Sequence, residues 1–183
     1  APGRLPGRLW FSDAACGLHV YSFATGATAT WSLGTAERVC LIDAMAPNGR
    51  FVAFRSSVPG SASVVDLDAG AFLRGIPTAS AVSNTFSMLP VVADDGDVAT
   101  CARDEVRIVG FGQPSRRVSG CFPAVAGGHL IVLDPETGAV RDLTGRRTVL
   151  AASARYAATS GLAGSRDGLF AILGAGRNGV DVY

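Results

Sequence analysis

The sequence predicts an all-β protein built from one repeated antiparallel unit, and three observations carry that prediction. Glycine accounts for 23 of 183 residues, and few stretches keep a helical period beyond two turns. The most apolar segments are short, rich in β-branched and aromatic residues, and separated by turns carrying Gly, Pro, Asp or Asn. Two strand–turn–strand patterns also recur along the chain.

The predicted strands, in chain order, are GRLWFS, GLHVYSF, RFVAFRS, SASVVDL, EVRIVGF, HLIVLD, GLFAIL and GVDVY. In the first pattern an apolar strand leads through a turn ending in glycine to a second strand. It occurs at 20–33, 64–76 and 131–143, with Gly26, Gly70 and Gly138 closing the turns. Glycine suits that place because it takes a positive φ without a Cβ clash. The second pattern precedes the first, with Pro47-Asn48-Gly49 in one copy and Asp94-Asp95-Gly96 in the next. Residues 152–173 are a degenerate copy with a shortened turn.

If each unit holds four strands, its third strands begin near residues 18, 62, 105, 129 and 169, about 44, 43, 24 and 40 residues apart. A period near 40 with four strands is the signature of β-propeller blades. The short interval predicts that the fourth unit, CFPAVAGGHLIVLD, is a shortened blade without room for its second strand. The chain opens on a second strand, with no first strand ahead of it. The expectation is a single β-propeller domain over 1–183 with about five small blades and irregular closure, either self-standing or one part of a larger protein.

Two segments resemble known propeller repeats. APNGRFVAFRS (46–56) is similar to the S-P-D-G-k-x-I-A-F motif of the TolB-like (PD40, WD40-like) repeat. VLDPETGAVRDL (132–143) is similar to the D-x-x-T-G turn of YVTN-type and quinoprotein repeats. The resemblance implies a propeller, commonly periplasmic or extracellular, that binds proteins or acts as a non-catalytic gate. Trp31 follows Gly26 by five residues where the quinoprotein pattern has four, and no other unit carries a Trp there, so no quinone cofactor is implied. The Trp-Asp ending of true WD40 blades is also missing.

Four cysteines, Cys16, Cys40, Cys101 and Cys121, include no C-x-x-C pair, and an even number at wide spacing fits two disulfides in any of three pairings. The repeat favours one of the three. Cys16 and Cys101 fall at the end of a second strand or in the turn after it. Cys40 and Cys121 fall at the start of the next unit's first strand. The expected bonds are therefore Cys16–Cys40 and Cys101–Cys121. Each would close a loop of roughly 20–25 residues and contribute on the order of 3 kcal/mol through the unfolded chain. Disulfides place the chain in an oxidising, extracytoplasmic compartment: secreted, periplasmic or cell-surface.

The net charge is +1, and all sixteen basic residues are arginine. Each cation is thus a planar fork suited to carboxylate or phosphate, and no lysine is present for Schiff-base chemistry. The predicted strand order puts Arg38, Arg55, Arg103, Arg116, Arg117, Arg146, Arg147 and Arg166 on one loop face. Asp68, Asp94, Asp95, Asp97, Asp134 and Glu136 fall on the other with Arg50 and Arg177, while Asp13, Glu37, Asp104, Glu105 and Asp167 share the arginine face. Arg103 and the doublets Arg116-Arg117 and Arg146-Arg147 are the candidate binding residues, for a protein or anionic ligand. No aromatic residues interleave with the doublets, so no nucleic-acid partner is expected. No apolar run reaches the length of a transmembrane segment.

Catalytic motifs are weak. GAGRNG (174–179) matches G-x-G-x-x-G, but only four residues follow it, leaving no room for a phosphate-binding helix. His19 and His129 read as strand histidines with local hydrogen bonds. ADDGD (93–97) has calcium-like composition and a simpler reading as a hairpin turn. Asp134 and Glu136 in DPETG look like a carboxylate pair and read as a turn. No catalytic residue, metal site or cofactor is expected. The leading functional expectation is a non-catalytic binding module that uses its loops or channel mouth. The alternative is a propeller enzyme of glycosidase, lyase or lactonase type, for which Asp43 and Asn84 are the sparse channel candidates.

Overall fold

The structure, a computed structural model, describes residues 7–15, 17–31, 42–55, 61–77, 90–102, 105–156, 161–175 and 179–183. Among them are five antiparallel sheets and no helix. The first sheet is β1 (Arg8–Ser12), β2 (Leu18–Ser22) and β3 (Ala27–Trp31). The second is β4 (Ile42–Met45), β5 (Phe51–Arg55), β6 (Ser61–Asp66) and β7 (Ala71–Pro77). The third is β8 (Val91–Val92), β9 (Val98–Ala102), β10 (Glu105–Val109) and β11 (Arg116–Ser119). The fourth is β12 (Cys121–Ala126), β13 (His129–Leu133), β14 (Val140–Asp142) and β15 (Arg147–Leu150). The fifth is β16 (Gly161–Gly164), β17 (Phe170–Ala175) and β18 (Gly179–Val182). Strands follow chain order across each sheet, which is the blade pattern of a propeller.

Period-2 alternation explains how the sheets stack. In β5, Phe51 and Ala53 point into the cluster shared with the third sheet, while Val52 and Phe54 point into the one shared with the first. In β13, Leu130 and Val132 face the third sheet, and Ile131 and Leu133 face the fifth. A strand covered on both sides needs apolar residues at every position, which is why FVAF and LIVL are unbroken apolar runs. Four apolar clusters result among the described residues, one between each pair of successive sheets. The outward faces of the two end sheets remain exposed at Leu9 and Phe11 on one side and at Leu173, Val180 and Val182 on the other.

The three glycine-closed turns are one structure. Gly26, Gly70 and Gly138 have φ of 71°, 64° and 71°, and their N–H groups donate to the carbonyls of Ser22, Asp66 and Asp134 at 2.8, 2.8 and 2.7 Å. Their positions in the sheets differ, and this corrects the sequence reading. The first two close the outermost hairpins, β2–β3 and β6–β7, whereas DPETG joins β13 to β14, the second and third strands of the fourth sheet. That sheet therefore has all four strands and is not shortened. Its outermost turn is Leu143-Thr144-Gly145-Arg146. Three-stranded sheets occur at the two ends, and the strand near 169 is likewise a second strand.

The innermost hairpin turns of successive sheets are tied together along one rim. Asp94 Oδ1 accepts from the Asn48 N–H at 2.8 Å, and Asn48 Nδ2 donates to the Asp94 carbonyl at 2.9 Å. The Asp94 N–H donates to Gly128 O at 3.0 Å, and the Gly127 N–H donates to Ser165 O at 2.9 Å. Each link joins one sheet to the next and satisfies backbone groups of the turns.

Candidate functional site: the inner cavity and a cleft on the rim

Propeller enzymes work at the axis, which the innermost strand of each blade lines. The innermost strands of the second to fifth sheets line an open cavity of about 310 Å³. Its walls are Met45, Val91, Val92, Val125 and Leu162, among others, and Ser165 and Arg166 supply its polar side chains. No carboxylate or imidazole is among the described lining residues. Asp43 sits in β4 but is not in that lining, and Asn84 lies outside the described residues.

The acidic and histidine motifs all have local partners. Asp94 belongs to the inter-sheet link. Asp95 Oδ1 accepts from the Asp97 N–H at 3.0 Å, and Asp97 pairs with Arg116 at 2.5 Å. No group of three metal-ligating side chains forms among the described residues. His19 lies between Asp13 (Nε2 to Oδ2, 2.7 Å) and Thr30 (Nδ1 to Oγ1, 3.1 Å), and Phe11 stacks on its ring. The imidazole and the Gly17 N–H hold the Asp13 carboxyl below its usual range. His129 Nδ1 meets buried Asp142 at 2.9 Å. Tyr156 is hydrogen-bonded to Tyr183 and to Asp181, and both contacts push its phenol pKa up.

In DPETG only one carboxylate is engaged. Asp134 is buried, and burial acts to raise its pKa. The Thr137 and Glu136 N–H groups, the Thr137 hydroxyl and Arg141 outweigh that and hold it below the usual range. Glu136 points to solvent. The pair is a turn anchor and a surface residue.

The arginines are not gathered on one face. With four strands in the fourth sheet, Arg146, Arg147 and Arg166 move to the rim of the innermost turns, which already holds Asp94, Asp95 and Asp97. Asp134 and Glu136 move to the opposite rim. The expected division into a basic and an acidic face is overturned, because antiparallel order fixes which rim each turn occupies. Arg117 lies 3.4 Å from Glu105, and Arg147 lies 3.3 Å from Asp142. Arg103 lies outside the described residues.

Two candidates do converge. Arg116, at the start of β11, and Arg146, in the β14–β15 turn, line one cleft of about 400 Å³ between the third and fourth sheets. Asp95, Asp97, Gln113, Ser115 and Thr144 provide its other polar groups, and Ile108, Phe111, Pro114 and Leu143 its apolar wall. Sequence reasoning missed Asp95, Gln113 and Thr144 because they join the arginines only after two sheets pack. One signal was available in advance: aligning DLTGRR (142–147) on DLDAGA (66–71) puts Arg146 where the repeat has glycine.

Cys101 is buried at the end of β9 and is disulfide-bonded. Cys121 opens β12, which packs beside β9, but its side chain, like Cys16 and Cys40, lies outside what is described.

No protein-family model and no curated protein sequence matches the chain. Solved structures do. The Cps50 (Swd1) beta-propeller domain of Myceliophteria thermophila aligns at 13% identity with a TM-score of 0.51, over 91% of this chain and 58% of that one. Virginiamycin B lyase from Staphylococcus aureus aligns at 10% identity with a TM-score of 0.47, over 97% of this chain and 66% of that one. The chain thus spans less than two thirds of the length of these structures. The sheet architecture and the first of these likenesses define the class: the chain has a β-propeller fold.

Proposed function

We propose that this propeller is a non-catalytic, extracytoplasmic binding module that engages a protein or anionic ligand through the loops of one rim. The observation that carries the reading is a contrast between two places. The inner cavity, where propeller enzymes of glycosidase, lyase or lactonase type would need converging acids or histidines, has apolar walls with Ser165 and Arg166. The rim has an open polar cleft with two arginines. The disulfide at Cys101 supports an oxidising compartment.

The test is retention of anionic ligands and secreted proteins on the immobilised chain, run at increasing ionic strength. Retention that weakens with salt and is reduced by Arg116→Ala with Arg146→Ala is the expected result. Turnover of a glycoside or lactone that is lost in Ser165→Ala or Arg166→Ala, with no such retention, would favour the enzyme instead.

A further inference from the structure

We propose that the cleft between the third and fourth sheets binds the carboxylate of an acidic peptide, with Arg146 as the contacting residue. This rests on the binding-module reading and gives it a place and a ligand class. Arg146 is one of two described non-glycine residues with positive φ, at 53°; the other is Phe122 at 52°. Phe122 lies in an irregular stretch of β12 and packs against the apolar cluster of the fourth and fifth sheets, so packing accounts for it. Arg146 is exposed and packs into no cluster. The same turn position is Gly26 in the first sheet and Gly70 in the second, at φ of 71° and 64°. A side chain there opposes the steric preference that makes the repeat use glycine. Strain of that kind persists where another demand holds it, and here the residue that carries it lines a cleft.

The electrostatics of the cleft narrow the ligand. Arg116 is already committed to Asp97 at 2.5 Å. Among the described residues no carboxylate lies within ion-pairing distance of Arg146, so its fork is open to a planar, two-oxygen acceptor. Asp95 also lines the cleft, and among the described residues no cation pairs with its carboxylate. Two arginines and two aspartates leave the cleft neutral overall, which disfavours a dianionic phosphate. They favour a single carboxylate on a ligand that also brings N–H donors for Asp95. Peptide backbone supplies those donors, and Phe111, Pro114 and Leu143 give an apolar wall for its aliphatic parts. A volume of about 400 Å³ is at the small end of ligand sites and suits one or two residues.

The test is an NMR titration of the 183-residue chain with acetyl-Ala-Glu-Ala-amide at millimolar concentration, with acetyl-Ala-Gln-Ala-amide and inorganic phosphate in parallel. The Glu peptide is expected to shift the Arg146 side-chain and Gln113 resonances and to bind more than tenfold tighter than the Gln peptide. Arg146→Gly is expected to abolish those shifts and to raise the melting temperature by about 2–4 °C as the strain is released. Arg146→Lys, which keeps charge but not the fork, is expected to bind more weakly than wild type. Equal binding of the two peptides, phosphate binding as tight as the Glu peptide, or an Arg146→Gly variant that still binds would overturn the proposal. Salt-sensitive retention of a protein ligand that survives Arg146→Gly would sink this site while leaving the binding-module reading standing.

Discussion

Asp134 and Glu136 are two residues apart, chemically alike, and assigned opposite roles by the structure, so replacing each in turn is a sharp test. Asp134 is 5% exposed and accepts the Glu136 N–H at 3.0 Å, the Thr137 N–H at 3.2 Å and Arg141 at 2.8 Å. Alanine at 134 removes two turn-capping bonds, each comparable to a helix cap and so about 1 kcal/mol. It also removes a half-exposed ion pair, which adds at most about 1 kcal/mol after solvent screening. The expected loss is about 2–3 kcal/mol, or a fall of roughly 4–12 °C in melting temperature for a chain of this size. Glu136→Ala removes a solvated side chain and is expected to stay within about 0.5 kcal/mol. Urea and thermal unfolding of both variants measure this directly. Equal losses from the two, or a neutral Asp134→Ala, would refute the account of DPETG as a turn anchored by one buried carboxylate.

Stability should fall with acid in a defined window. Asp66, Asp134 and Asp142 have depressed folded pKa values, so their contribution is complete above the ordinary aspartate range near 4 and is lost as pH drops through the lower folded values; urea midpoints against pH read this, and Asp66→Asn should flatten the curve. Ser63 buries its hydroxyl with no hydrogen-bond partner among the described residues, so Ser63→Ala should be neutral or stabilise by about 1 kcal/mol in the same assay, and a clear loss would reveal a partner. A Cβ at Gly164 would run into the Val125 carbonyl, so Gly164→Ala should force β16 off β12 at a cost of about 1–3 kcal/mol, seen as faster hydrogen exchange in both strands. Non-reducing peptide mapping should recover Cys101 joined to Cys121, and reduction should lower stability by about 2–5 kcal/mol; recovery of Cys101 with either other cysteine would refute that pairing.

The outcome for the repeat shows how far local information reaches. FVAF and LIVL announced strands covered on both sides, and the sheets that contain them are covered on both sides. Gly26, Gly70 and Gly138 announced positive-φ turns, and each forms one. The error came from treating that turn as a marker of strand position. The backbone bonds that close it run within six consecutive residues, so it fits any hairpin of suitable register, and the fourth sheet uses it one hairpin further in. The charge assignment failed with it: in the fourth and fifth sheets a strand counted one place too far out puts each later turn on the other rim, and Arg116 opens β11 just after the β10–β11 turn, on the rim of Asp95 and Asp97.

What the sequence determined on its own was therefore what depends on neighbours along the chain: strand type, turn geometry, the all-β class and the repeated blade. Tertiary structure alone decided which rim each turn occupies, and that Asp95, Arg116 and Arg146 meet at one cleft. Those three residues come from turns and strands in two different sheets, up to 51 positions apart (95 to 146). Their proximity follows from the apolar packing of the third sheet on the fourth, a contact that no local pattern of residues encodes.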